Sequence, residues 1–365
     1  MFNFQDLPDE LILKILSYAE TKDLINCGQV SKKIRRISQD ATLWETANLE
    51  KKIVNTELIQ MILRKGCRVM NLHQSTILGS LSSISRSGLR RGLLIPKSQL
   101  RVLKLSRPEC NTNCNCDSDT DNYKLITDSD TDTSLTNTSR DDCDENTDVL
   151  EDLLFSCCSL QHLEMEDVLL TTKMAESICK NSKTLQILNL NSSYLRSCSS
   201  SYLQIFKCCQ ELKEVNLANV NQGDGITGKD LVFFAKNIAP NVEKLNLSSI
   251  PQDPLFVKQI LLKRCNKIMA LSIETTWITD CSLKYISQCL NHTLEELSLG
   301  HCDNISFNGF LELKSMPKLK ILNLYYNKKD GGEEIQYLTK HLPYVMIKVF
   351  HVPVKSFLSG PVTMR

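Results

Sequence analysis

The feature that most constrains the fold of this 365-residue chain is a hydrophobic pattern that recurs seven times at nearly constant spacing. Each copy places apolar residues, mostly leucine, at the first, fourth and sixth positions of a six-residue segment. The copies are Leu160/Leu163/Met165, Leu185/Leu188/Leu190, Leu212/Val215/Leu217, Val242/Leu245/Leu247, Ile268/Leu271/Ile273, Leu294/Leu297/Leu299 and Leu319/Leu322/Leu324. Their first positions are 25, 27, 30, 26, 26 and 25 residues apart. So many copies in phase predict an array of structural repeats.

Repeats of roughly 20 to 29 residues with this pattern are typical of leucine-rich repeats. Each unit has a short strand with alternate residues pointing inward, followed by an amphipathic helix such as residues 200–210 or 279–290. Because one unit cannot bury its apolar face alone, neighbouring units must stack. The pattern predicts an α/β solenoid, a horseshoe with a parallel sheet inside and helices outside. Leu100/Leu103/Leu105 is a further match, and Cys67/Met70/Leu72 a degenerate one.

The repeats divide the chain into segments. We predict a helical domain at 1–48, a linker with degenerate first repeats at 49–99, the solenoid at 100–350 and a tail at 351–365. The interval from Leu100 to Leu160 exceeds one repeat, and twelve acidic residues stand against three basic ones between Arg107 and Asp148. Few apolar residues there could offset the entropy of ordering. This composition predicts a disordered acidic insertion at about 108–147.

The first 48 residues carry apolar side chains at helical spacing after a Leu7-Pro8 opening, and close on Leu43-Trp44. Proline is tolerated in a first helical turn. A bundle of about 40 residues is too small to cover all its apolar side chains. Part of this surface should therefore bind a partner.

The segment LPDELILKILSYAETKDLINCGQVSKKIRRISQDATLW resembles an F-box. Residues that fit that motif are Leu7, Pro8, Asp9, Glu10, Ile12, Ile15, Leu16, Leu24, Val30, Leu43 and Trp44. Ser31 and Ile34 stand where Cys and Trp are usual in the motif. With its repeats, the chain resembles F-box/leucine-rich-repeat proteins, particularly the S-phase kinase-associated type. The segments that carry this second resemblance include LPDELILKIL, LWETANLEKKIVNTELIQMIL, NGFLELKSMPKLKILNL and LTKHLPYVMIKV.

The resemblance implies a non-catalytic substrate-recognition subunit of an SCF (adaptor–cullin–F-box) ubiquitin ligase. It implies binding of the adaptor, and through it the cullin and RING subunit. A protein substrate, for which a cell-cycle regulator is one candidate, would then be ubiquitinated and degraded. Whether the substrate is phosphorylated, and whether a cyclin-kinase-associated accessory subunit takes part, stays open. The expected location is nucleus and cytoplasm. The alternative is a leucine-rich-repeat binding or inhibitor protein whose helical head is only a cap.

Two groups of residues are candidate binding sites. The predicted adaptor-binding residues are Leu7, Pro8, Leu11, Ile12, Ile15, Leu16, Leu24, Val30, Ile34 and Trp44, with a purely internal core as the alternative. Residues between the inward leucines should face the concave surface of the horseshoe. The predicted substrate-binding residues there are Asn189, Asn191, Glu214, Asn216, Lys244, Asn246, Ser272, Glu274, Glu296, Ser298, Asn323 and Tyr325.

Other classes of function are disfavoured. The net charge of +1, from 43 basic and 42 acidic residues, gives no drive toward nucleic acid or anionic membrane. No signal peptide or apolar run of membrane-spanning length is present, so a soluble intracellular protein with reduced thiols is expected. Cys110, Cys114 and Cys116 lack a standard zinc spacing, so no metal or cofactor is predicted.

Catalytic motifs are missing from the sequence. A ligase that forms a thioester with ubiquitin would need a reactive cysteine, and His301-Cys302 is the one pair that invites that interpretation. Adjacent strand residues point to opposite faces of a sheet and cannot pair. The sequence therefore disfavours an enzyme.

Overall fold

The computed structural model describes residues 4–78, 98–107, 147–195, 199–220, 228–250, 264–325 and 332–349. The predicted C-terminal tail and all but the last residue of the predicted acidic insertion lie outside these ranges. So do Cys110, Cys114 and Cys116.

Three α-helices come first along the described ranges, and strands with interspersed helices follow. The α-helices are Asp9–Leu16, Thr21–Val30, Lys32–Ser38, Thr56–Arg64, Thr147–Ser156, Thr172–Lys180, Ser199–Cys208, Gly228–Asn237, Asp280–Leu290, Phe307–Leu311 and Gly332–His341. Short 3-10 helices span Phe4–Asp6, Ala41–Trp44 and Glu312–Ser315. The strands are β1 Thr46–Asn48, β2 Ile53–Asn55, β3 Val69–Leu72, β4 Thr76–Leu78, β5 Val102–Ser106, β6 His162–Glu166, β7 Leu169–Leu170, β8 Ile187–Asn189, β9 Tyr194–Leu195, β10 Glu214–Asn216, β11 Lys244–Asn246, β12 Ala270–Ser272, β13 Glu296–Ser298, β14 Ile321–Asn323 and β15 Met346–Lys348.

One parallel sheet runs through the whole array, in the order β1-β3-β5-β6-β8-β10-β11-β12-β13-β14-β15. The fourth-position residues of successive repeats are direct partners, as Val215 pairs with Leu245 and Leu245 with Leu271. These side chains are buried against the helices, so the predicted solenoid is confirmed. The sheet begins earlier than expected, however, because β1 at Thr46–Asn48 already pairs with β3.

A shared turn follows the strands of the large sheet. Five asparagines, Asn48, Asn71, Asn189, Asn216 and Asn246, accept a hydrogen bond through Oδ1 from the backbone N–H two residues later, at 3.0 to 3.2 Å. One residue further on, the backbone enters the left-handed region. Within the described ranges, the non-glycine residues with this conformation are Lys51, Gln74, Asp167, Ser192, Asn219, Ser249, Thr275 and His301. Such local hydrogen bonds let short polar side chains set a turn.

Buried polar side chains join one repeat to the next at the helix ends. Asn181 Nδ2 donates to the carbonyl oxygens of Cys157 and Ser177 at 3.2 and 3.1 Å, and its Oδ1 accepts from the Leu160 N–H at 2.9 Å. Orphan carbonyls at a helix C-terminus need such partners when they are buried. Asn181 therefore holds two neighbouring repeats in register.

The head packs three helices and a 3-10 helix into a small bundle at the start of the solenoid. The indole Nε1 of Trp44 donates to the Ser38 carbonyl oxygen at 2.7 Å inside this bundle. In the part of the chain that the structure describes, no helix combines the length and apolar character needed to cross a membrane. Nor do any three His, Cys, Asp or Glu side chains of that part come together as metal ligands.

Candidate protein-binding sites

One face of the first helix, Asp9–Leu16, carries an exposed apolar stripe. Leu11 and Ile15 are 48% and 47% exposed, and Pro8 is also exposed one turn before Leu11. Their spacing of three and four residues places them on one side of the helix. Tyr18, 83% exposed, follows in the same phase just after the helix. We call Pro8, Leu11, Ile15 and Tyr18 the head patch.

Five of the ten predicted adaptor-binding residues lie in the core of the bundle instead. They are Ile12, Leu16, Leu24, Ile34 and Trp44. The helices pack these side chains against one another, so their contact with a partner stays a prediction. Leu7 is half-buried, while Val30 at the end of the second helix is exposed. Helical spacing indicated apolar positions on more than one face but did not distinguish inner from outer ones.

Ion pairs fix the first helix on the third. Asp9 pairs with Arg36 and, at 3.5 Å, with Lys33, whose Nζ also donates to the Leu7 carbonyl oxygen at 2.7 Å. These contacts place the head patch on the outside of the bundle. Sequence reasoning missed Tyr18 and the exposed Phe4, although Tyr18 continues the spacing of Leu11 and Ile15.

The concave side of the sheet is less open than its sequence pattern predicts. Six predicted substrate-binding residues, all at the fifth position of the repeat, are buried: Asn189, Asn216, Asn246, Ser272, Ser298 and Asn323. Parallel strands are only about 4.8 Å apart, so these short side chains pack against and bond to the next strand. The Oγ atoms of Ser248 and Ser272, for example, are 2.8 Å apart. The expectation that these six face solvent is wrong.

The other six predicted residues keep partial exposure on the concave side. They are Asn191, Glu214, Lys244, Glu274, Glu296 and Tyr325. Trp277, which sequence reasoning missed, is 70% exposed after the β12 turn. An exposed tryptophan is a common anchor in protein interfaces, so its residue type alone could have marked Trp277 as a candidate contact.

Charge is distributed unevenly along this concave side. Glu164 lies 3.0 Å from Lys104 Nζ and 2.6 Å from His162 Nε2, and Glu214 pairs with Lys244 at 2.9 Å. Burial opposes ionisation of Glu164, but hydrogen bonds from His162 and Lys104 bring its pKa below the usual value. Burial instead raises the pKa of Glu274, and a hydrogen bond with Ser298 offsets this only in part. Glu164 and Glu214 thus have basic partners, whereas Glu274 forms no ion pair with a basic side chain of the described residues.

A family model described as "SKP2 LRR domain" matches residues 124–354, which is more than half of the chain. This chain belongs to the SKP2 leucine-rich-repeat family. A second model, described as "F-box-like", matches residues 4–50. The SKP2-family chain is therefore an F-box/leucine-rich-repeat protein of the substrate-receptor type. Its F-box implies binding to a Skp1-type adaptor and a cullin, and proteins of this class are generally non-catalytic adaptors.

Two solved structures are among those that match this SKP2-family chain. Actin-binding site 2 of leiomodin-1 has 23% identity and a TM-score of 0.31, covering 38% of this chain and 86% of that chain. The Rad7–Elc1 complex from yeast has 13% identity and a TM-score of 0.43, covering 98% and 91% of the two chains. At these levels neither similarity bears on function.

The cysteine candidate for thioester chemistry is buried in this SKP2-family chain. His301 and Cys302 follow β13 rather than lie on it; the His301 side chain is exposed and Cys302 is buried. Cys302 Sγ lies 3.3 Å from the Ile273 carbonyl oxygen, and burial raises the pKa of its thiol to about 11. A thiol in this setting is a poor nucleophile at neutral pH.

Two pairs of adjacent cysteines allow a test of how burial lowers thiol reactivity in this chain. Cys158 and Cys208 are exposed, whereas burial raises the pKa of Cys157 and of Cys209 to about 12. Because only the thiolate reacts, we expect iodoacetamide at pH 8 to label Cys158 and Cys208 at least about 100-fold faster than their neighbours and Cys302. Peptide mass spectrometry over time measures the rates. Rapid labelling of Cys302 in the folded chain would contradict its burial.

Proposed function

We propose that this chain is the substrate-recognition subunit of an SCF ubiquitin ligase. It binds a Skp1-type adaptor through the head patch together with Leu7 and Val30, and holds a protein substrate on the concave side of the repeats. The ligase then ubiquitinates the substrate for proteasomal degradation. We place it in nucleus and cytoplasm, with a cell-cycle regulator as the candidate substrate.

The observation that carries this proposal is the exposure of the head patch. The inner face of the same helix, with Ile12 and Leu16, already covers the bundle core. A head that served only as a cap would not need large apolar side chains on its outer face as well. An exposed apolar stripe of this kind marks a partner surface.

The proposed contribution to catalysis is proximity. The head and repeats share one continuous apolar core, from Ile12 to Leu342, so a substrate on the repeats is held at a set distance from the adaptor. Fixing a substrate lysine near charged ubiquitin converts a bimolecular encounter into a nearly unimolecular one. The chain itself needs no nucleophile for this role.

The experiment that tests the proposal is coprecipitation of the purified full chain with a Skp1-type adaptor and its cullin. We expect a stable complex with one copy of each subunit, and cullin recovery only when the adaptor is present. Cooperative urea unfolding of the same preparation shows that the chain is folded. Failure of a folded chain to bind the adaptor would leave a repeat-based binding protein whose head has another role.

A further inference from the structure

The C-terminal part of the concave side carries carboxylates that lack a basic partner. Glu274 lies just after β12 and Glu296 on β13, and in the described ranges neither is within ion-pair distance of a lysine, arginine or histidine. Glu214 and Glu164, nearer the N-terminus, are both paired. Glu274 and Glu296 thus bring two carboxylates without a basic partner together on neighbouring repeats.

Gly300 lets the Glu274 side chain extend across the next repeat. A Cβ at Gly300 would lie 3.5 Å from both Cγ and Cδ of Glu274, and 3.1 Å from the Tyr325 carbonyl oxygen. Burial raises the pKa of the Tyr325 phenol, and the negative charges of Glu274 and Glu296 raise it further. Two carboxylates and an aromatic side chain from three successive repeats thus share one site.

Asn323 adds an unmet hydrogen-bond acceptor to the same site. Its Nδ2 donates to Glu296 Oε1 at 3.3 Å and to Ser298 Oγ at 2.7 Å. Asn323 is only 5% exposed, yet its Oδ1 has no hydrogen-bond partner in the described structure. The equivalent Asn216 and Asn246 use Oδ1 to accept a backbone N–H. Since buried polar atoms are normally paired, an acceptor left open here indicates a missing donor.

The chemistry of these groups selects the ligand. Two carboxylates and an amide oxygen are all acceptors, and a tyrosine ring attracts cations through its face. A lysine ammonium or an arginine guanidinium supplies several donors and a positive charge. An acidic or phosphorylated segment would be repelled by the same carboxylates.

We propose that Glu274, Glu296, Asn323 and Tyr325 form a subsite for a lysine or arginine side chain of the protein substrate. This inference rests on the proposed substrate-receptor function, and it specifies the chemistry of one substrate position. The subsite is formed by β12, β13, β14 and the turns that follow them, at the end of the solenoid far from the head patch.

A random twelve-residue peptide library displayed on phage, selected against the full chain bound to its adaptor, tests the subsite without a known substrate. We expect the unmodified chain to enrich peptides with lysine or arginine at one fixed position. The Glu274→Gln/Glu296→Gln variant should lower that enrichment at least tenfold. The matched control is Glu295→Gln, because Glu295 neighbours Glu296 in the chain but is already paired with Lys320 at 2.7 Å and is not one of the predicted substrate-binding residues. It should keep the enrichment within twofold.

Three outcomes would overturn the subsite. They are no enrichment of basic residues by the unmodified chain, equal enrichment by the double variant, or a lower urea midpoint of the double variant. The last would show that the carboxylates are already satisfied within the chain. Adaptor coprecipitation of each variant separates the two proposals, since loss of the subsite should leave adaptor binding unchanged.

Discussion

Replacing Leu11 and Ile15 together by aspartate is expected to weaken adaptor binding at least 100-fold while leaving the fold intact. Both side chains are about half exposed in the free chain, so the change removes little internal packing. In a complex that covers them, the variant loses apolar burial and leaves two carboxylates without water or partners. A loss of 100-fold is about 2.7 kcal/mol, which is modest for such a change at the centre of an interface. Titration calorimetry with the Skp1-type adaptor measures it.

The matched control changes two exposed apolar residues at the opposite end of the molecule. Tyr344 and Met346 are 93% and 61% exposed near the last strand, so Tyr344→Asp/Met346→Asp adds the same two charges far from the head. This control should bind the adaptor as the unmodified chain does. Binding by the Leu11→Asp/Ile15→Asp variant within threefold of that control would exclude the head patch as the adaptor surface.

Replacing Asn181 by alanine is expected to lower the free energy of unfolding by about 3 kcal/mol, from hydrogen bonds lost in a buried setting. The change removes all three side-chain hydrogen bonds of Asn181, two of which, with the Leu160 N–H and the Cys157 carbonyl oxygen, reach the neighbouring repeat. The Leu160 N–H and the Cys157 carbonyl oxygen would then stay buried without that partner. Each such group costs roughly 1 to 3 kcal/mol. Urea unfolding followed by circular dichroism measures the change.

Asn241 provides the control for this substitution. It is exposed, and its Oδ1 accepts a hydrogen bond from the exposed Lys267 Nζ at 2.7 Å. Asn241→Ala should therefore change the free energy of unfolding by less than about 0.5 kcal/mol, as surface substitutions usually do. If Asn181→Ala were as mild as Asn241→Ala, the buried asparagine would not be what couples the two repeats.

The sequence predicted the large-scale architecture because the constraint on it is repeated. A leucine at the first, fourth and sixth positions of each unit must be buried, and one unit cannot bury it without a neighbour. The register follows, since the fourth positions of successive repeats, such as Leu297 and Leu322, become direct partners. The F-box segment was also evident in the sequence, and the F-box-like family model matches residues 4–50.

The binding surfaces could be located only with the tertiary structure. The sequence shows which positions are apolar or polar, but not which face of a helix or strand is covered by its neighbours. Leu11 and Ile12 look equivalent in the sequence, yet packing of the third helix buries Ile12 and leaves Leu11 exposed. Fifth-position residues such as Ser272 alternate correctly with the core, but the close spacing of parallel strands hides them.

The proposed subsite for a basic side chain also depends on contacts between residues that are far apart in the sequence. Glu274, Gly300 and Tyr325 belong to three different repeats, and stacking alone brings them together. The sequence by itself determined the repeat length, the inward leucines and the helical head, because each depends on local periodicity. Which side chains remain exposed, and which charges remain unpaired, was decided only by the tertiary structure, because both depend on neighbours from other repeats.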